Sequence, residues 1–195
     1  MKSFDYLSLA LTAALLLTIA FVDGIAYPLL ILAVAAVHEG GHLIAAAICR
    51  MPLCSLRGAA AGLSIVYDPG TISYAREAAV ILAGPLAGLA AGLAGFFLLP
   101  PTPEGFFFSL SSAVAAFVNL LPAPGLDGGS LVHVILASAG REDLAPRVLR
   151  VSGFAVAGTL LAAECALQIA GGGNFSLLVL TAWLLCRLLV PRRTV

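Results

Sequence analysis

The segment His38-Glu39-Gly40-Gly41-His42 contains the residue types that a metal hydrolase needs. Its two histidines stand four positions apart, and on an α-helix side chains at i and i+4 lie on one face, so both imidazoles can reach one zinc ion. Glu39 is not a ligand in this geometry. It faces the open coordination position, where it can act as a general base. The spacing therefore predicts a catalytic zinc site.

A catalytic zinc ion takes three protein ligands and keeps one position open, so a third ligand must come from elsewhere in the chain. Asp127 is the candidate, because it is the only carboxylate in the long apolar stretch 106–139. An ionised aspartate at the bilayer centre costs roughly 2.5–3.5 kcal/mol, and a divalent cation would offset that cost. We expect one zinc ion per chain on His38, His42 and Asp127. The alternative is that Glu39 and Asp127 are unrelated groups facing a water-filled cavity.

The composition places these residues in a membrane protein. Of the 195 residues, 61% are hydrophobic and 10% are charged, and the mean hydropathy is +1.07, whereas soluble domains carry about 25% charged residues. Ten basic residues balance ten acidic ones without a block of like charge, which excludes a nucleic-acid-binding surface. At about 20 apolar residues per span, residues 1–195 form a single integral-membrane domain.

Apolar runs predict an all-α protein with about six transmembrane helices. The runs lie near residues 6–22, 26–49, 76–99, 106–139, 151–170 and 174–190. The fourth run is too long for one plain span, and the prolines and glycines between Asn119 and Gly129 must break or unwind its helix.

The basic residues of the connections indicate the orientation. Lys and Arg occur at the N-terminus, in the second-to-third and fourth-to-fifth connections and at the C-terminus, and the alternate connections carry none. By the positive-inside rule both termini are cytoplasmic. His38, His42 and Asp127 are then expected to lie toward the cytoplasmic leaflet.

The segment between the second and third spans has its own pattern. Leu63 to Tyr67 reads as a strand and Asp68-Pro69-Gly70 as a turn, followed by residues 71–74. Two interpretations stay open: an ordinary cytoplasmic loop, or a β-hairpin that dips into the membrane. The second is tolerable only where protein or a wet cavity satisfies the backbone.

Three blocks of the sequence resemble the site-2 protease family of intramembrane zinc metalloproteases. They are Ala36-Val-His-Glu-Gly-Gly-His42, Ala83-Gly-Pro-Leu-Ala-Gly88 and Asn119-Leu-Leu-Pro-Ala-Pro-Gly-Leu-Asp-Gly-Gly129. The chain is most similar to the compact sporulation-protease-like branch, and we expect neither a PDZ module nor a nucleotide-sensing domain. Gly88 departs from the family pattern, which often has asparagine at this position.

The resemblance implies that His38, His42 and Asp127 bind zinc and that Glu39 is the general base. It implies that Asn119 is a polar group beside the metal that helps to hold substrate or the developing oxyanion. It also implies a membrane-dipping hairpin to whose edge an unwound substrate adds as a strand. The implied activity is an intramembrane zinc endopeptidase that cleaves the transmembrane segment of membrane-bound substrates in regulated intramembrane proteolysis and releases a cytoplasmic fragment.

A second class of function stays open, namely a non-catalytic metal-binding membrane protein or a metal transporter. A transporter would spread its polar ligands along a path through several spans, whereas here they cluster at one depth. Glu39 also has no purpose in a structural site, where a fourth protein ligand closes the coordination. Both arguments favour the enzyme.

The remaining expectations concern partners and other polar residues. We expect a prokaryotic plasma membrane protein whose partners are a transmembrane substrate and the lipid bilayer, with no nucleic acid. A homo-oligomer or an inhibitory membrane partner stays open. We interpret His133 as structural. Glu164 and Gln168 either form a polar contact between helices, which we favour, or line a water path. The glycines of the third span at 84, 88, 92 and 95 predict close helix packing.

Overall fold

The computed structural model describes residues 17, 20–21, 24–51, 55–59, 62–66, 73–171 and 175–189. Most of the first predicted span, 6–22, thus lies outside the described residues, although 17, 20 and 21 are helical. The chain divides into two compact units, Met1–Val118 and Asn119–Val195.

In the first unit, apolar runs form helices close to the predicted bounds. Helix α1 spans Ala26–Ile48, α2 spans Tyr74–Leu98 and α3 spans Pro103–Asn119, whose last residue already belongs to the second unit. The rings of Tyr27 on α1 and Phe107 on α3 meet edge to face, with centroids 5.0 Å apart.

An antiparallel pair of strands lies between α1 and α2. Strand β1 is Ser55–Ala59 and β2 is Gly62–Val66, with Ser55 opposite Val66 and Ala59 opposite Gly62. β2 lies where the sequence predicts a strand, but its partner is the preceding segment, which carried no prediction. Only residues 60 and 61 separate the strands, and two-residue connections are the commonest in hairpins. The turn expected at 68–70 is outside the described residues, and the hairpin's place in the membrane stays a prediction.

The helices of the first unit bury small and polar side chains and expose large apolar ones. The buried positions are Pro28, Val34, His38, His42 and Ala46 on α1, Val80, Gly84, Pro85, Gly88, Gly92 and Gly95 on α2, and Ser109, Ser112 and Ala116 on α3. Leu29, Ile44 and Phe96 are all more than half exposed. Lipid chains are as apolar as leucine, so membrane helices pack through small residues and turn large apolar side chains outward. The burial pattern is that of a membrane protein.

Three helices among the described residues are long and apolar enough to cross a membrane. They are α1, α2 and the stretch Glu142–Ile169, as expected for an integral membrane protein. The other described helices are shorter than the roughly 20 residues of a plain span, so the count of six spans stays a prediction.

The second unit begins at the break that the sequence predicts in the fourth run. The helix ends at Asn119 and helix α4 (Asp127–Ser138) follows, with the seven residues Leu120–Leu126 as the connection. A single 3-10 turn, Glu142–Leu144, leads into α5 (Ala145–Ile169), and α6 spans Phe175–Leu189. The core of this unit joins the connection to the last two helices through Ala123, Leu126, Ala157 and Leu184.

The contact of α2 with α3 predicts a large effect of one added methyl group. A Cβ atom at Gly92 would lie 2.8 Å from the carbonyl oxygen of Ser109 and 3.1 Å from the backbone nitrogen of Ala113. Because backbone atoms cannot swing aside, Gly92→Ala should lower the free energy of unfolding by about 1–3 kcal/mol, measured by denaturant unfolding in one detergent.

Gly158 on α5 is the matched control, since a Cβ atom there meets nothing within 4 Å. Gly158→Ala should leave the free energy of unfolding unchanged or raise it by up to about 1 kcal/mol, because alanine is the better helix former. Equal stability of the two variants would contradict the close contact of α2 with α3.

Candidate metal centre

Helix α1 carries two buried histidines one helical turn apart. His38 and His42 are each 8% exposed. Their Nε2 atoms lie 3.3 Å apart, and the ring planes are nearly perpendicular at 83°. Two imidazole nitrogens on one tetrahedral zinc ion, with Zn–N bonds of about 2.0–2.1 Å, are separated by about 3.3–3.4 Å. The two side chains therefore have the donor separation of a shared zinc ion.

A backbone carbonyl on α2 sets the orientation of the second ring. The Nδ1 atom of His42 lies 2.8 Å from the carbonyl oxygen of Val80 in a buried hydrogen bond. A carbonyl oxygen only accepts, so Nδ1 carries the proton, and the neutral ring keeps its lone pair on Nε2. Metal-binding histidines almost always donate their second ring N–H in this way.

Two glycines let α1 and α2 approach closely enough for this hydrogen bond. A Cβ atom at Gly84 would overlap the His42 ring, including its Nε2 atom, and one at Gly41 would lie 2.5 Å from the Ala83 carbonyl oxygen. The sequence predicts Gly84 as a packing residue, and the structure places it against a candidate ligand. The role of Val80 as a hydrogen-bond partner of His42 could not be predicted from the sequence, because the acceptor is a backbone carbonyl and does not depend on the residue type.

Glu39 lies on α1 beside the histidine pair. Successive helical residues are rotated by about 100°, so its side chain leaves the helix next to the face that His38 and His42 share. It is half-buried, whereas both histidines are buried. The Glu39 side chain is therefore partly exposed at a position adjacent to the histidine face of α1.

Asn119 and Asp127 stand at the two ends of the break in the second unit. Asn119 is the last residue of α3 and Asp127 is the first of α4, and both are half-buried. The partial positive charge at a helix N-terminus favours a carboxylate at the position of Asp127. A Cβ atom at Gly128 would overlap the backbone of Leu120, and one at Gly129 would overlap the carbonyl of Ala123.

His38, His42 and Asp127 together form a donor set that could hold a metal ion. Two imidazole nitrogens and one carboxylate oxygen are a ligand set that catalytic zinc sites use. Within the described ranges, no further histidine, cysteine or carboxylate joins this group.

Two other polar residues of the sequence lie elsewhere in the second unit. His133 is exposed, and its Nε2 atom lies 3.7 Å from the Glu142 carboxylate, which is also exposed. Glu164 is 2% exposed, and its Oε1 atom accepts a hydrogen bond of 2.7 Å from Nε2 of Gln168. This bond lies within α5, whereas the sequence predicts a contact between helices.

The contact of Gly84 with His42 predicts that an added methyl group disturbs metal binding. Gly84→Ala should displace the imidazole and weaken zinc binding by about 10–100-fold, as loss of an outer-shell partner does, measured by zinc content after dialysis against buffered zinc. Gly88→Ala is the matched control one turn along α2, because a Cβ atom there meets Ala116 and Ser112 at an ordinary 3.4 Å. Equal zinc content in both variants would refute the role of Gly84.

Comparison with known proteins adds evidence on the fold. No protein-family model matches the chain, and no curated protein matches it. The chain is similar to the solved structure of the Site-2 Protease from Methanocaldococcus jannaschii, with a TM-score of 0.69 and 18% sequence identity. The match covers 97% of this chain and 92% of that chain, and it agrees with the resemblance in the three sequence blocks. The chain therefore has the fold of a site-2 protease.

Proposed function

We propose that this protein is an intramembrane zinc endopeptidase of the site-2 protease family. The observation that carries the proposal is the buried pair of His38 and His42, with Nε2 atoms 3.3 Å apart and one ring held by the Val80 carbonyl. Burying two imidazoles in an apolar helix is costly unless they bind something. The fold supports the same proposal, because it is the fold of a protein named as a protease.

In this proposal one zinc ion per chain is held by His38, His42 and Asp127. When bound, it would polarise the substrate carbonyl and lower the pKa of a water molecule. A structural zinc site uses four protein ligands and a catalytic one three. The donor set among the described residues has three members, which favours catalysis over the alternative of a non-catalytic metal-binding protein.

Glu39 and Asn119 take the remaining chemical roles. The Glu39 carboxylate accepts a proton as the water oxygen attacks the peptide carbon, and it donates that proton to the amide nitrogen as the C–N bond breaks. The products are a carboxylic acid and an amine, which ionise to a carboxylate and an ammonium group by exchange of one proton. The side-chain amide of Asn119 donates a hydrogen bond to the oxyanion that develops on the peptide oxygen.

The proposed substrate is a single transmembrane segment of another protein. A helical substrate hides its carbonyl groups in its own hydrogen bonds, so the segment must unwind before cleavage. The hairpin of β1 (Ser55–Ala59) and β2 (Gly62–Val66) offers strand edges to which an extended segment can add. We place the site toward the cytoplasmic side of a prokaryotic plasma membrane, with release of a cytoplasmic fragment as the outcome.

The role of Glu39 is tested with Glu39→Gln. We expect wild type and variant to bind one zinc ion each, and cleavage of reconstituted single-span substrates to fall by about 10²–10⁴-fold, the contribution of a general base. Glu104→Gln, at an exposed position of α3, should cleave as wild type does. Cleavage by Glu39→Gln at the wild-type rate would refute the mechanism. Zinc binding without cleavage of any substrate by wild type would favour the metal-binding or transport alternative.

The third ligand is tested with Asp127→Asn. Because outer-shell changes alone cost about 10–100-fold in metal affinity, loss of a ligand should cost at least that much, measured by competition with a zinc-binding dye. The matched control is Asp143→Asn in the 3-10 turn, an exposed aspartate of the same unit. An unchanged zinc affinity in Asp127→Asn would exclude this carboxylate as a ligand.

A further inference from the structure

Carbonyl groups of the connection Leu120–Leu126 lack the backbone donors of a continuous helix, and helix α5 supplies a donor. Pro122 and Pro124 have no backbone N–H, and the break frees carbonyl groups that a continuous helix would use. The Ala123 nitrogen donates to the Leu121 carbonyl at 2.8 Å, and the Leu126 nitrogen donates to the Ala123 carbonyl at 3.2 Å. In an apolar environment the other carbonyl groups also need donors.

The hydroxyl of Ser152 on α5 supplies one of these donors. Its Oγ atom lies 2.5 Å from the carbonyl oxygen of Pro122, thirty residues earlier in the chain. The acceptor that a helical serine ordinarily uses, the Val148 carbonyl, is farther away at 3.0 Å. The hydroxyl has one proton, and the shorter distance assigns it to the connection.

Gly153, the next residue, makes room for the second proline. A Cβ atom at Gly153 would lie 2.9 Å from Cδ of Pro124 and 2.7 Å from Cδ2 of Leu188. One turn later on the same helix, Ala157 packs in the core with the connection's apolar residues. Two successive residues of α5 therefore lie against the two prolines of the connection: Ser152 against Pro122 and Gly153 against Pro124.

Asp127 directly follows this connection, and its backbone has little freedom of its own. Gly128 lies so close to Leu120 that a Cβ atom there would overlap its carbonyl group. The nitrogen of Ser130 donates to the Leu126 carbonyl at 3.1 Å. A displacement of the connection must therefore move the first turn of α4, and a metal ligand has to stay within about 0.5 Å of its productive position.

We propose that Ser152 and Gly153 are positioning residues for Asp127, so that α5 sets the metal affinity of the site without contacting the ion. The inference rests on the proposed function, because it assumes that Asp127 is a ligand. It is specific to one hydrogen bond and one glycine contact, and both can be changed singly.

The test measures zinc affinity and the visible absorption of bound Co²⁺ in the purified full-length protein. Ser152→Ala should weaken zinc binding by about tenfold or more, as loss of an outer-shell partner does, and should alter the Co²⁺ bands, which respond to ligand geometry. Ser152→Thr keeps the hydroxyl and should restore zinc affinity to within about threefold of wild type. Gly153→Ala should act in the same direction as Ser152→Ala.

The matched control is Thr159→Ala on the same helix. The hydroxyl of Thr159 is exposed and donates to the Ala155 carbonyl of its own helix at 2.9 Å. Its loss should leave zinc affinity and the Co²⁺ spectrum unchanged. Unfolding of the metal-free proteins by heat serves as a second measurement, and the midpoint of Ser152→Ala should stay within a few degrees of wild type.

The outcomes separate the two proposals. If wild type binds zinc and Asp127→Asn weakens it while Ser152→Ala does not, the positioning role is refuted and the zinc site stands. An equal loss in Ser152→Ala and Thr159→Ala would also refute the positioning role. If wild type binds neither Zn²⁺ nor Co²⁺, the proposed function itself fails.

Discussion

The close approach of α1 (Ala26–Ile48) and α2 (Tyr74–Leu98) is the constraint on which the candidate metal centre depends. An imidazole buried in an apolar helix needs a partner for each ring nitrogen. The Val80 carbonyl provides one for His42 at 2.8 Å, but only because Gly84 and Gly41 leave the space that a Cβ atom would fill. The carbonyl accepts the Nδ1 proton, so in the neutral ring Nε2 would be the atom that binds the proposed metal ion. Helix spacing thus determines the chemistry of the site.

In the second unit a polar residue is positioned by a break in a helix, whereas in the first unit the histidines are positioned by the packing of two helices. Pro122 and Pro124 prevent a continuous helix, and the new start at Asp127 places a carboxylate at a helix N-terminus. The break leaves carbonyl groups without helical donors. The Ser152 hydroxyl on the neighbouring helix α5 donates to one of them, the carbonyl of Pro122. A break in an apolar helix therefore persists only where another element of the unit supplies donors, and α5 is that element.

The sequence predicts the described helices well because long apolar runs are a strong signal, and it singles out the residues His38, His42 and Asp127, which could hold a metal ion. The apolar runs place α1 and α2 near their observed bounds, whereas α5 starts six residues before its run, and the prolines predict the break before Asp127. The role of Val80 and the partner strand β1 were not predictable, since a backbone carbonyl and strand pairing have no signature in residue type. Gly84 was predicted only as a packing residue, because a spacing of four residues does not reveal which neighbour occupies the space.

The two parts of the proposed ligand set differ in how firmly they are held. The histidines project from a continuous helix whose buried face packs against α2, so their separation is maintained without a metal. Asp127 follows a connection that relies on another helix, through the Ser152 hydrogen bond and the space left at Gly153. By linkage, a zinc ion that binds only the folded arrangement of this connection stabilises it by a free energy that rises with the logarithm of the zinc affinity. If the proposed zinc site exists, metal binding should therefore stabilise α4 and its connection more than the α1–α2 pair, and the broken helix would be the part of the site where folding and metal binding are coupled.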